Sequence, residues 1–229
     1  MKKVINYFSI HELIIWLSSI LLIVFSFVLF DKENYLMLIG SILGVTSLIF
    51  NAKGNPIGQI LMVIFSIFYG IISYSFAYYG EMISYLLMTL PMSIIALISW
   101  LKNPYKDKKS EVKIKQINKK DIIIAFIITT IVTIIFYFIL KELNTTNLFI
   151  STISIFTSFL AVYLTFKRSQ YYALAYACND IVLIIMWILA SISNISYLSV
   201  VVCFLAFLIN DIYGYINWEK MKKRQIDNL

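Results

Sequence analysis

Histidine occurs once, cysteine twice and proline three times in this chain, and each scarcity removes a class of function. A single His11, ahead of the first apolar run, leaves almost no imidazole for acid–base or metal chemistry, so it is assigned a surface role. Cys178 and Cys203 both lie within apolar runs. They have neither metal-ligand spacing nor the pattern of a secreted disulfide framework, and they read as small packing residues. Three prolines and seven glycines exclude a low-complexity or collagen-like chain. There is no GxSxG, no HExxH, no phosphate-binding glycine loop and no CxxC, so hydrolase, metal-dependent and ATP-driven chemistry lack their residues. No enzyme activity, cofactor or metal is expected. Charge is scarce as well: 14% of residues are charged, against about a quarter in a soluble domain.

What is present is apolar. Hydrophobic residues make up 61% of 229 and the mean hydropathy is +0.86. No soluble globule hides that much apolar surface, so the solvent must be lipid. Eight runs approach the roughly 17–25 residues that a helix needs to cross hydrocarbon: Leu13–Phe30, Tyr35–Phe50, Ile57–Tyr79, Met82–Leu101, Ile122–Leu140, Leu148–Phe166, Tyr171–Ala190 and Ile195–Ile216. The first follows Met1-Lys2-Lys3 without an A-x-A site, which predicts an uncleaved span rather than a signal peptide.

The net charge of +7 is a topology signal rather than a nucleic-acid one. With eight alternating spans, one side carries Lys2, Lys3, Lys53, the eight lysines from Lys102 to Lys120, Lys167, Arg168, Lys220, Lys222, Lys223 and Arg224. The other side carries only Lys32 and Lys141. The positive-inside rule places both termini in the cytoplasm.

The basic stretch LKNPYKDKKSEVKIKQINKKD (101–121) divides the chain and reads as a solvated orientation signal. Spans two to four and six to eight form two similar units. Each third span opens on Ile-Ser-Tyr-Leu (83–86 and 195–198) and ends on a tryptophan, Trp100 or Trp218. Three crossings reverse the side and span five restores it, so the units are parallel about an axis along the membrane normal. The fold expected is an all-α integral membrane protein of eight transmembrane helices, a 3+1+3 pseudo-repeat core plus one extra N-terminal helix. Its divisions are 1–34 (extra helix), 35–101 (first unit), 102–147 (basic loop and linker helix) and 148–229 (second unit and basic tail). A substrate site in such a plan lies between the halves near mid-bilayer.

Two Asn-Asp pairs interrupt the apolar runs, Asn179-Asp180 and Asn210-Asp211. A charge at the bilayer centre costs about 2.5–3.5 kcal/mol on insertion scales, so it faces a partner, water or a cationic ligand. At helical spacing Tyr172, Tyr176, Asn179/Asp180, Leu183 and Trp187 share a face, as do Asn210, Tyr213/Gly214 and Asn217 on the last span. Gln59, Ser66, Tyr69/Gly70 and Ser73 form a polar line on the third span, and Tyr163 lies at a depth similar to Tyr172. These residues are expected to line a wet cavity with aromatic faces, amides and carboxylates. The competing reading makes the amides and hydroxyls interhelical glue, Asp180 a buried hydrogen-bonded helix contact and Asp211 a helix-end group. Trp16, Tyr35, Tyr78, Tyr79, Trp100, Tyr215 and Trp218 are expected to be interface anchors.

Residues 55–100, with ALAYACNDIVLIIMW (173–187) and FLINDIYGYINWEKMKKRQ (207–225), resemble the PnuC family of bacterial vitamin-precursor transporters over about residues 35–225. The resemblance implies a SWEET-like architecture in the bacterial cytoplasmic (inner) membrane. It implies uptake of nicotinamide riboside by facilitated diffusion, trapped through phosphorylation by a cytoplasmic kinase. It also implies a site on the last two spans, built from aromatic stacking and amide hydrogen bonds. Where many members carry Trp-x-x-x-Trp ahead of the intramembrane acid, this chain has Tyr172-Ala173-Leu174-Ala175-Tyr176. The candidate site is therefore Gln59, Tyr69, Tyr163, Tyr172, Tyr176, Asn179, Asp180, Trp187, Asn210, Tyr213 and Asn217. Thiamine, riboflavin or another nucleoside remains an alternative cargo. A proton-coupled carrier and a non-transporting receptor or sensor remain alternative functions. A homo-oligomer is left open and no nucleic-acid partner is expected.

Overall fold

The computed structural model describes residues 7–75, 79–106 and 108–227. Among them eight helical segments are long and apolar enough to cross a membrane. These are α1 (Ile10–Phe30), α2 (Tyr35–Ala52), α3 (Ile57–Ser75), α4, α5 (Lys119–Glu142), α6 (Leu148–Phe166), α7 (Tyr172–Ser191) and α8 (Leu198–Asp227, preceded by a 3-10 turn Ile195–Tyr197). Helix α4 is composite: Tyr79–Ile83, a π-helical stretch Ser84–Thr89, then Leu90–Leu101. The break follows from Pro91, which has no N–H to return to the Leu87 carbonyl. Helix α1 begins earlier than the apolar run, at a capping box in which the Ser9 N–H donates to Glu12 Oε2 (2.6 Å) and the Glu12 N–H to Ser9 Oγ (3.3 Å). The S-x-x-E signature was readable in the sequence.

Helices α2–α4 form one unit and α6–α8 the other. The third helix of each unit packs on the first helix of its counterpart, α4 on α6 and α8 on α2. Helix α5 leans chiefly on α6, and α1 lies against α8 and α2. Outward faces are apolar, as in the isoleucines of α5 at 123, 127, 131, 134 and 135.

The repeat is sharpest at one end of the bundle. Trp100 Nε1 donates to the Thr165 carbonyl and Trp218 Nε1 to the Asn51 carbonyl, at 2.9 and 2.8 Å. Thr165 and Asn51 are the penultimate residues of α6 and α2, so each unit's tryptophan caps the first helix of the other. The turns that follow match too. Gly54 (φ 66) and Arg168 (φ 56) both adopt the left-handed conformation. The next N–H in each, Asn55 and Ser169, returns to Phe50 O and Leu164 O.

Several expectations are corrected. Trp100 and Trp218 are 1% and 0% exposed and their rings meet at 5.4 Å. They are buried keystones rather than interface anchors, because their N–H groups satisfy helix-terminal carbonyls. Trp16 likewise turns inward and donates to Thr46 Oγ1 at 3.1 Å, whereas Tyr35 is 65% exposed and remains at the surface. The Ile-Ser-Tyr-Leu tetrapeptides are not equivalent positions. Ile83–Leu86 straddles the π-helical break of α4, while Ile195–Tyr197 forms a 3-10 turn six residues further from its tryptophan. The basic linker is not merely solvated. Strands β1 (Pro104–Tyr105) and β2 (Lys108–Val112) pair antiparallel, and Val112 and Ile114 are 0% and 7% exposed. The expectations for Lys2, Lys3 and Tyr78, and for the Tyr79 side chain, fall outside the described residues.

Candidate substrate-binding site

Between the units lies a cavity lined by Leu48 of α2, Met62 and Phe65 of α3, Tyr85 and Thr89 of the π-helical stretch and Ser158 of α6. Its other wall is Tyr176, Asn179 and Asp180 of α7 with Phe204, Phe207 and Asp211 of α8. As drawn it has about 30 Å³ of free space, room for a couple of waters. The π-helical stretch turns Tyr85 and Thr89 into this space, the usual employment of a π-bulge at a functional site.

Asp180 and Asp211 are 3% and 4% exposed, and both line this cavity from adjacent helices, α7 and α8. Asp180 Oδ2 is buried without a hydrogen-bond partner among the described residues, an acceptor free to meet a donor or a cation. Among the described residues neither forms an ion pair. Asn179 beside them is oriented by Thr157, whose Oγ1 donates to its Oδ1 at 2.8 Å. The aromatic wall is continuous. Phe65 stands edge-on to Tyr85 (5.9 Å) and Phe207 (5.7 Å), and Phe204 to Phe207 (5.5 Å). The arrangement offers two acidic groups, π-faces, hydroxyls and an amide, a set that suits a planar organic cation.

Of the sequence-predicted site residues, Tyr176, Asn179 and Asp180 line this cavity. Tyr69 stands behind it, 4.4 Å from the Tyr85 ring. Tyr172 does not line it but lies next to Tyr176, edge-on to that ring at 6.2 Å and to Trp218 at 4.7 Å. The others lie elsewhere. Gln59 donates to Asn51 Oδ1 (2.8 Å), in the polar cluster beside the Trp218 cap. Tyr163 stacks along α6 on Phe159. Trp187 is 1% exposed, in the core beside Tyr197 at 5.5 Å. Asn210 donates to Ser19 Oγ (2.9 Å) and Tyr213 to Glu12 Oε1 (3.1 Å), both fastening α1. Asn217 donates to the Ala52 carbonyl (2.8 Å). The polar line of α3 also faces away: Ser66 returns its hydroxyl to Met62 O, and Met62 and Phe65 meet the cavity instead.

Residues that periodicity did not select are Asp211, Tyr85, Thr89, Ser158, Phe65, Phe204 and Phe207. On α8 the amphipathic face chosen from sequence ran through Asn210, Tyr213 and Asn217, about 100° from Asp211. The adjacent carboxylate was the available signal for the other face. Two further carboxylates, Glu12 and Glu81, are buried at 3% and 5% exposure rather than sitting freely at span ends. Glu12 is paired with Lys53 Nζ at 2.9 Å.

The fold has a solved counterpart. A structure described as the crystal structure of the vitamin B3 transporter PnuC superposes with a TM-score of 0.82 at 23% identity, covering 95% of this chain and 94% of that one. The chain is 24% identical over 218 residues to the nicotinamide riboside transporter PnuC of Neisseria mucosa, covering 93% of this chain and 83% of that protein. It is 23% identical over 212 residues to the protein of the same name from Haemophilus influenzae, covering 92% and 91%. Residues 34–220 match the sequence profile described as nicotinamide mononucleotide transporter. With an eight-span bundle and a cavity between its two units, this chain is a multi-pass membrane protein that belongs to that transporter family.

Proposed function

We propose that the chain carries nicotinamide riboside into the bacterial cytoplasm across the inner membrane by facilitated diffusion, with a cytoplasmic kinase trapping the product. The basic end of the bundle is then cytoplasmic, with both termini, by the positive-inside rule. The observation that carries the substrate assignment is that Asp180 and Asp211 line one buried cavity with the Phe65, Tyr85, Tyr176, Phe204 and Phe207 rings. The pyridinium ring of nicotinamide riboside is a planar cation, and this wall supplies both its counter-charge and its stacking partners. Asn179, Thr89 and Ser158 are placed to meet ribose hydroxyls or the carboxamide. The relatives named for nicotinamide riboside support the same assignment.

The cavity is too small for a nucleoside, so loading requires the units 35–101 and 148–229 to separate. Rocking of parallel repeats about a central site accounts for that motion. The experiment is a thermal-shift panel of nicotinamide riboside, thiamine, riboflavin and uncharged nucleosides on purified protein, followed by uptake into proteoliposomes. A true ligand stabilises the folded state. Stabilisation by nicotinamide riboside, with uptake that stops at equal concentrations, is expected. Stabilisation by thiamine alone would move the assignment to the other planar cation, and binding without flux would make the protein a receptor.

A further inference from the structure

The segment after β2 crosses the basic end of the bundle and is bonded to both units. On the first unit, Val112 N–H donates to the Gly54 carbonyl (2.9 Å) and Lys113 N–H to Asn103 O (2.8 Å). On the second, Lys115 N–H donates to the Arg168 carbonyl (3.0 Å). Ile114 N–H donates to Gln225 Oε1 (2.9 Å), and Gln225 Nε2 returns to Val112 O (3.0 Å). Arg224 pairs with Glu111. Gly54 and Arg168 are the two equivalent left-handed turn residues, so the segment is sutured to matching points of the two halves. Beneath it Val112 and Ile114 join Trp100, Trp218, Tyr172 and Met221 in one apolar cluster, and Tyr172 stands edge-on to Tyr176 of the cavity wall at 6.2 Å.

Arg168 is the joint of this closure. A non-glycine residue held at φ 56 is retained against local strain. Its side chain explains the retention. Nε donates to Lys113 O (3.2 Å) on the strap, and an Nη donates to Ser99 Oγ (2.9 Å) on α4 of the opposite unit. Ser99 in turn donates to Phe166 O (2.9 Å) on α6. In the matching turn the residue is Gly54, where a Cβ would meet Met221 Cε at 2.9 Å and no side chain reaches across. Of the two matched turn residues, only Arg168 therefore adds a side-chain link across the halves.

We propose that residues 111–118, held by Arg168, are the inner gate of the carrier: the path from the cavity to the cytoplasm opens when the strap parts from the second unit. The proposal rests on the sidedness given above and extends it to a named latch. Loss of the two bonds Arg168 donates, one of them solvent-exposed, opens the closed state at least about tenfold more often.

The test reads accessibility and needs no substrate. Ser158→Cys places a thiol in the cavity, with the exposed Cys178 replaced by Ala; Cys203 is buried and stays. Labelling by a membrane-impermeant thiol reagent is timed in inside-out and right-side-out vesicles, with Arg168 and with Arg168→Gly. Glycine adopts the left-handed turn without strain, so the fold is kept and only the latch is lost. About tenfold faster labelling from the cytoplasmic face, with no change from the outer face, is expected. Equal rates from the cytoplasmic face would overturn the gate, and acceleration from the outer face instead would overturn the sidedness. In a second arm Glu111→Cys/Arg224→Cys is bridged by a short bis-methanethiosulfonate, which forms a disulfide with each thiol, releases sulfinate and is cleaved by a reducing thiol. Thermal stabilisation by external nicotinamide riboside is expected to persist while uptake stops until the bridge is cleaved. Uptake at the unbridged rate would place the gate elsewhere.

Discussion

Replacing the two cavity carboxyls one at a time and together separates a counter-ion from a pair of structural hydrogen bonds. The proposed counter-ion role requires Asp180 and Asp211 together to present one negative charge to a bound cation. An Asn at either position donates its amide to the remaining carboxylate and leaves that same single charge. Asp180→Asn and Asp211→Asn are therefore each expected to cost within about 1 kcal/mol of binding energy, the scale of one exchanged neutral hydrogen bond. The double substitution removes the charge. At 4 Å and an effective dielectric of 20 a unit charge pair is worth about 4 kcal/mol. Desolvating both groups reduces this to the ~1.5–3 kcal/mol typical of hydrogen bonds to charged groups. The double variant should thus bind nicotinamide riboside about 10–150-fold more weakly, against at most about fivefold for either single. Equilibrium binding to purified protein measures it. The 1,4-dihydro form of the ligand, which lacks the ring charge, is the control and should lose far less. If either single substitution weakens binding as much as the double, or the uncharged form suffers equally, the shared-charge account fails.

Three further outcomes follow from the geometry. Trp218→Phe and Trp100→Phe each keep a ring but strand a buried helix-terminal carbonyl, so each should cost about 1–2 kcal/mol in thermal or denaturant unfolding, and equally because the two sites are equivalent. Lys53→Ala leaves the 3%-exposed Glu12 with the Tyr213 hydroxyl and the Ser9 N–H, at a cost of about 1–3 kcal/mol. Adding Glu12→Gln should recover part of that loss, and a strictly additive double variant would show that the pair does not fasten α1. Gly44→Ala puts a Cβ 2.3 Å from Phe207 Cζ and 3.0 Å from Phe65 Cε2. It should weaken ligand binding more than it lowers stability, since both rings line the cavity; unaltered affinity would show that the wall yields freely.

The spans were legible because hydrocarbon thickness sets a length and lysine placement sets a side, and both are one-dimensional signals. The lining of the cavity was legible on α7, where Tyr176, Asn179 and Asp180 share one face. It was not legible on α8, because Asn210 and Asp211 are neighbours in sequence and about 100° apart on the helix. Nothing local says that the extra helix α1 claims the Asn210 side through Ser19 and Glu12. The strap was hidden by its lysines, although Val112 and Ile114 alternating with Lys113 and Lys115 carry the period of a half-buried extended segment. The tryptophans showed the repeat but not their burial. An indole at the end of a span satisfies either the membrane interface or a helix terminus, and only the packing of α4 on α6 and α8 on α2 selects the second.

That packing also gives the register on which the two units can be compared. Continuing from the matched turns, Met62, Phe65 and Ser66 of α3 correspond to Tyr176, Asn179 and Asp180 of α7. Counting back from the matched tryptophans, Thr89 and Ser93 of α4 correspond to Phe207 and Asp211 of α8. Met62, Phe65 and Thr89 all line the cavity with their counterparts, so the correspondence holds in space. The frame is symmetric and the chemistry is not. Both carboxyls and the amide belong to the second unit, while the first has Ser66, Ser93 and an apolar wall at the matching places. If the units rock about the cavity, a cation paired with Asp180 and Asp211 stays with the second unit throughout. The wall that changes from one access state to the other is the first unit's Met62, Phe65, Tyr85 and Thr89. A symmetric acid arrangement, with one carboxylate on each half, would pull on the cation from both sides and resist separation. Placing the whole charge on one unit removes that resistance and lets the apolar half slide past a ligand already neutralised.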